Sequence, residues 1–336
     1  MKRVLGLLLA AVLLSSLSIP CAAADTGRTY PGFSDVAEGS ASYEAVKLCY
    51  EWGLMNGTSE TTFNPQGKLS VAQLVVLAAR LYDLRMGGNG TVPELPDYGG
   101  SYLWFYHKDG TLIASFTMEE IPAYNAAEES TFIGVINETD GSSLPEFCQL
   151  EIGFAGYNHT KIFEGVRESH ENIPGTMNQG IVGTGYRFTG PDAASFAKLT
   201  SLPLYLEEAW WFPAAFYLCS EGVMNFDGEL VYRASGGNQD GSYDPLTRFS
   251  SDHASRALFA WLVDLIAGQL PVLNETVSVP DVTEETQDAD AILRLYRAGI
   301  LTGVDQAGNF GGSQALTRAQ AAIILNRVLT SRGIIG

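Results

Sequence analysis

Arg318 is the side chain most plainly placed to do chemistry. It follows Thr317 in the stretch Leu316-Thr317-Arg318-Ala319-Gln320, where a threonine and a glutamine three residues apart form a capping box that starts a helix. A cation in the first turn of a helix faces the positive end of the helix dipole, so the position costs stability. Its planar guanidinium can grip a carboxylate with two parallel hydrogen bonds, and the amides of the same helix start add donors for an anion. The chemistry expected at Arg318 is recognition of an acidic group.

Bond-making chemistry has no such footing. The chain contains no His-Glu-x-x-His, no Gly-x-Ser-x-Gly, no phosphate-binding loop and no Cys-x-x-Cys. His107, His159 and His170 follow no metal-site spacing, so no metal and no cofactor are expected. Glu119-Glu120 and Glu128-Glu129 are the acids a glycosidase would need in pairs, but neighbouring acids on polar segments read as a solvated face. The chain is therefore not expected to be an enzyme.

Charge narrows the partner. The formal net charge is −18, which argues against nucleic acid. An anionic ligand must then be held by a local group of bases working against the field of the whole molecule. Met1-Lys2-Arg3, the apolar run from Val4 to Leu14 and the small residues Ala22 to Ala24 have the order of a secretory signal, so residues 1–24 are read as a signal peptide cleaved before Asp25. No later stretch is long and apolar enough for a transmembrane anchor, so an exported chain that is soluble or surface-bound is expected. Cys49, Cys148 and Cys219 are isolated and flanked by apolar residues, which suits small buried hydrophobes; one Cys49–Cys219 bridge is the main alternative.

The elements that would position Arg318 occur more than once. Near one end stand Phe33-Ser-Asp35-Val36, an apolar stripe of Ala45, Val46, Cys49 and Tyr50, then Gly53, Gly57, Phe63-Asn-Pro65 and Leu69-Ser70-Val-Ala-Gln73. Near the other stand Val279-Pro-Asp281-Val282, the stripe Ala291, Ile292, Leu295 and Tyr296, then Gly299, Gly303, Phe310 and the Arg318 stretch. Each stripe has helical spacing, each first glycine suits a left-handed helix stop, and each Ser/Thr-x-x-Gln opens a second helix. A weaker copy lies between them: Trp210-Trp211, Gly222-Val-Met-Asn225, a longer loop, Tyr243-Asp-Pro245 and Phe249-Ser250, where His253 stands in place of the glutamine of the box.

This pattern resembles the S-layer homology family, whose repeat runs Phe-x-Asp-Val, a helix ending in Gly-Ile-x-x-Gly, Phe-x-Pro, and a second helix opening on Thr-Arg-Ala-Glu. The resemblance covers about half of the exported chain. It implies three repeats folded as a pseudo-threefold helical bundle, with secondary cell-wall polysaccharide, an anionic and often pyruvylated polymer, or another peptidoglycan-associated glycan, bound between repeats. Carried onto this chain, the polymer-reading arginine is Arg318 alone, with Val71 and Ser251 at the corresponding places. The family's tryptophan survives only as Trp210, opposite Ala41 and Gln287. Asp35 and Asp281 keep the Asp-Val element and either cap a helix or touch ligand, with Pro203-Leu204 in its place in the middle copy. Gly303 and Gly57 are the second glycines, candidates for ligand contact that also suit a turn.

Residues 88–200 differ in character. Tyr102–Tyr106, Leu112–Phe116, Phe132–Ile136 and Gln149–Phe154 alternate and are rich in aromatic residues, which predicts strands, and His107-Lys-Asp109-Gly110 predicts a hairpin turn. The expected class is α+β: repeats over 30–86, 201–268 and 277–330, with a mainly antiparallel β domain inserted at 88–200. The expected function is wall anchoring without catalysis. The alternative is a structural or protein-interaction protein whose degenerate repeats no longer bind glycan.

Overall fold

The computed structural model describes residues 27–94, 97–117, 124–126, 130–136, 141–155, 157–170, 183–190, 193, 209–238 and 242–331. The signal segment 1–24, Glu119-Glu120, Glu128-Glu129 and Pro203-Leu204 lie outside the described residues, as do the side chains of His159 and His170. The class is mixed α+β.

Helix α1 (Tyr43–Glu51) buries Ala45, Val46 and Cys49, the stripe read from spacing. It stops where Gly53 takes a φ of 71°, a conformation that a side chain would penalise. Helix α2 (Val71–Arg85) opens on a reciprocal capping box, with Gln73 N donating to Ser70 Oγ at 3.2 Å and Ser70 N to Gln73 Oε1 at 3.1 Å. These bonds satisfy two backbone N–H donors that the helix start would otherwise leave open.

A seven-stranded antiparallel sheet follows, from β1 (Asp97–Tyr106), β2 (Leu112–Thr117), β3 (Tyr124–Ala126), β4 (Ser130–Ile136), β5 (Phe147–Ala155), β6 (Tyr157–His170) and β7 (Gly183–Thr189). Its order is β2-β1-β5-β6-β7-β4-β3. Leu103, Phe105, Cys148, Leu150, Phe163, Tyr186 and Phe188 alternate along their strands onto one buried face. The turn predicted at His107-Lys-Asp109-Gly110 closes β1 on β2, with His107 N bonded to Thr111 O at 2.8 Å and Gly110 at a φ of 86°.

The chain then returns to helix: α3 (Phe212–Ser220), a π-turned segment Phe226–Val231, the short α4 (Tyr232–Ala234), α5 (Pro245–Ser251), α6 (Arg256–Ala267), α7 (Ala289–Arg297) and α8 (Arg318–Ser331). Thr317 and Gln320 form the predicted box before α8. The middle segment departs from expectation. Asp244 caps and Pro245 begins a separate helix, α5, which absorbs Phe249-Ser250-Ser251. The longer helix starts at Ser255, whose Oγ accepts from Leu258 N at 3.1 Å.

The three helix starts meet in a closed ring of backbone hydrogen bonds. Leu69 N donates to Leu316 O, Leu316 N to Ala254 O and Ala254 N to Leu69 O, at 2.9, 3.1 and 2.8 Å. A second set lies outside it: Val71 N to Asp252 O, Arg256 N to Gln314 O and Arg318 N to Gly67 O. Buried amides need such partners, so each start depends on another.

Cys49, Cys148 and Cys219 are buried and none is bridged in a disulfide, which decides against the Cys49–Cys219 bridge. Burial pushes the Cys49 and Cys148 thiols up to about 12. The reactive thiolate is then about a thousandfold rarer than in a free cysteine. Iodoacetamide should modify none of the three in folded protein at pH 8 and all three once the chain is unfolded, as read by intact mass; rapid labelling of the folded chain would contradict this packing. Among the described residues, no helix is long and apolar enough to cross a membrane.

Candidate functional site

Arg318 is only 7% exposed. Its Nε donates to Phe63 O at 2.9 Å, Nη2 donates to Asn56 O, and the guanidinium carbon lies 4.5 Å from the centre of the Phe63 ring. Burial lowers its pKa, and the Asp35 carboxylate partly opposes that shift. The dipole penalty of the first turn is thus met by carbonyls from the loop that follows α1.

The same device appears at a place where the sequence reading put none. Arg256, 6% exposed, donates from Nε to Phe310 O at 2.8 Å and from Nη2 to Thr302 O at 3.2 Å, with its guanidinium carbon 5.3 Å from the Phe310 ring. Arg318 is therefore not alone, and Ser251 is not the corresponding residue. The misreading followed from taking Ser250 as the cap, because Ser255 lacks a glutamine three residues on and shows only half of a box. Val71, buried at the third helix start, cannot make this clamp.

Asp35 and Asp281 brace the clamped loops. Asp35 accepts from Phe63 N and Asn64 N at 2.8 and 2.7 Å, and Asp281 from Phe310 N and Gly311 N at 2.6 and 2.8 Å. Neither caps a helix: the cap positions are Ser42 and Asp288. Burial pushes the Asp281 carboxyl up, but the Gly311 and Phe310 amides outweigh it, so its pKa is lowered. The brace therefore contributes above the ordinary carboxylate range and is lost as pH falls through the depressed value. Gly303 and Gly57 sit where the backbone comes too close for a side chain. A Cβ on Gly303 would lie 2.6 Å from Gly308 Cα, and one on Gly57 would lie 2.4 Å from Ser59 O.

Arg318 and Trp210 come together on one groove of 380 Å³, whose wall also includes Asn56, Gly57, Gln73 and Arg80. Trp210 is 58% exposed and is oriented by its Nε1, which donates to Ser250 Oγ at 3.3 Å. Among the described residues, no acidic side chain lines the groove. On so acidic a chain, this is the local exception that an anionic ligand requires. Asp35, Asp281 and Gly303 do not line it.

Arg80 was not singled out from the sequence. Its Nη1 donates to Leu54 O at 3.1 Å, and Arg327 does the same to Ile300 O at 3.0 Å. The signal was available, since both arginines stand ten residues after their capping hydroxyls, Ser70 and Thr317, where the middle segment has Leu265. Among the described residues, no group of three His, Cys, Asp or Glu side chains is arranged to hold a metal ion.

The family profile for the S-layer homology domain matches residues 32–74 and 280–322, the two segments that supply the groove's loop and Arg318. The chain carries S-layer homology domains, which mark association with the bacterial cell surface. A curated relative, an endoglucanase of Bacillus sp. (strain KSM-635), is 40% identical over 83 residues, which is 24% of this chain. The chain covers 9% of that relative's length. No solved structure matches.

Proposed function

We propose that this chain is a non-catalytic, exported protein that anchors to the bacterial wall by holding anionic, often pyruvylated, secondary cell-wall polysaccharide in the groove of Arg318, Arg80 and Trp210. The observation that carries the reading is this groove, which no acid lines among the described residues and which bears two guanidinium groups and an exposed indole, on a chain of net charge −18. Guanidinium groups bind carboxylates, and an aromatic face packs against the apolar face of a sugar ring. The β domain would then be displayed from the wall.

The reading extends to the helical unit. We take 201–268 as a third, diverged copy and the unit as a pseudo-threefold bundle, supported by the closed ring through Leu69, Ala254 and Leu316 and by the matched clamps of Arg256 and Arg318. The clamps also favour a second reading. Arginines engaged by carbonyls serve a scaffold whether or not glycan binds, which is what a protein-interaction module with spent repeats would keep.

Co-sedimentation of the purified full chain with isolated wall sacculi separates the two. Saturable pelleting, with no reducing ends released from the sacculi, is expected. Protein that stays in the supernatant rejects anchoring in favour of the scaffold, and released sugar would identify an enzyme.

A further inference from the structure

The capping box that opens α2 also fixes how Gln73 meets the groove. Ser70 N donates to Gln73 Oε1 at 3.1 Å, which settles which way the side-chain amide is turned. With its oxygen held by a backbone N–H, the amide is left with the two N–H donors of Nε2. Nε2 makes no hydrogen bond among the described residues, and Gln73 is half-buried on the groove wall.

Helical spacing sets what accompanies it. Gln73, Val76, Leu77 and Arg80 share one face of α2, and all four line the groove. The rise of the helix puts the first and last of them about 10 Å apart along its axis. Arg80 is tied to Leu54 O, and Arg318 to Phe63 O and Asn56 O, so the guanidinium groups are held as the amide is. A ligand lying along α2 meets fixed donors at both ends of an apolar stretch. Donors fixed before the ligand arrives spare part of the ordering cost of binding. The fold itself does not demand an amide at this position. Glutamate closes a capping box as well as glutamine does, and the helix dipole favours a negative charge in the first turn. It would hold α2 at least as firmly, but it would offer no N–H and would set a negative charge on the groove.

We propose that Gln73 is a specificity-determining residue of the groove: its Nε2 donates to a carboxylate oxygen of the wall polymer, and its lack of charge leaves that carboxylate unrepelled. This rests on the anchoring reading above, which supplies the carboxylate. The box residue thus serves two partners from opposite ends of one amide, the Ser70 N–H through its oxygen and the ligand through its nitrogen. A guanidinium and an amide can donate to the same carboxylate, because its two oxygens offer about four acceptor positions.

The test makes the same substitution at two boxes. Gln320 closes the matching box before α8, with Thr317 N donating to its Oε1 at 2.9 Å, but it is exposed and does not line this groove. Gln73→Glu should raise the apparent Kd of the full chain for sacculi about tenfold, the loss of one hydrogen bond to a charged group. Its unfolding midpoint should stay at or above that of wild type, because the cap is kept. Gln320→Glu adds the same charge and should bind like wild type. The contact is overturned if Gln73→Glu binds as tightly as wild type, or if Gln320→Glu weakens binding as much. It is also overturned if the weaker binding of Gln73→Glu comes with a lowered midpoint, since the cap would then be what failed. Wild type left in the supernatant would instead reject anchoring itself, and this contact with it.

Discussion

Replacing Arg256 by alanine should lower the stability of the helical unit by about 3 kcal/mol, although this residue lies in the segment least like its neighbours. The substitution strands Phe310 O and Thr302 O, removes the cation from above the Phe310 ring, and leaves a void at the start of α6. Thermal unfolding followed by circular dichroism at 222 nm should show the midpoint fall by roughly 5–10 °C. Arg248→Ala is the control. That arginine is exposed and pairs with Asp252 one helical turn on, an arrangement that contributes under about 0.5 kcal/mol. A midpoint for Arg256→Ala that matches the Arg248 control would mean that the clamp is not structural.

The adjacent tryptophans should separate binding from folding. Trp210→Ala should weaken retention on sacculi by about 30- to 100-fold, the range for a central aromatic anchor, and leave the unfolding midpoint near that of wild type. More than half of Trp210 is open to solvent, so little packing is lost. Trp211→Ala should do the reverse. Trp211 is fully buried, with its ring centre 4.8 Å from that of Phe249 and 6.0 Å from that of Phe226, and its removal should cost about 3–5 kcal/mol. Equal loss of binding and of stability in Trp210→Ala would show that the exposed ring supports the fold instead of the ligand.

The parts of the fold legible in the sequence are those set by local rules. The boxes at Ser70 and Thr317, the helix stops at Gly53 and Gly299 and the turn at His107 to Gly110 each depend on a few adjacent residues. What escaped depends on pairing at a distance. Strand β6 carries Lys161, Glu164, Arg167 and Glu168 and buries Phe163 and Gly165 on one face only, so its apolar alternation is too sparse to read. Strand β7, with Gly183 and Gly185 at its start, is equally faint, although a Cβ on Gly185 would collide with Ile133 O. At the site, Trp210 and Arg318 were legible through the resemblance. Arg256 was hidden by the extra helix α5, and the loop-bracing role of Asp35 and Asp281 needed the fold to bring residues nearly thirty positions apart together.

These placements change what Arg318 can be asked to show. Because it clamps Asn56 and Phe63, Arg318→Ala would disturb the loop as well as any ligand. Trp210 is the better probe of the groove. The most direct measurement is equilibrium binding of the full chain to sacculi before and after the secondary polysaccharide is stripped from the peptidoglycan. Anchoring through the groove predicts saturable binding to intact sacculi that is lost on stripping and is strongly reduced in Trp210→Ala. Equal binding to stripped sacculi, or unchanged binding of Trp210→Ala, would contradict it.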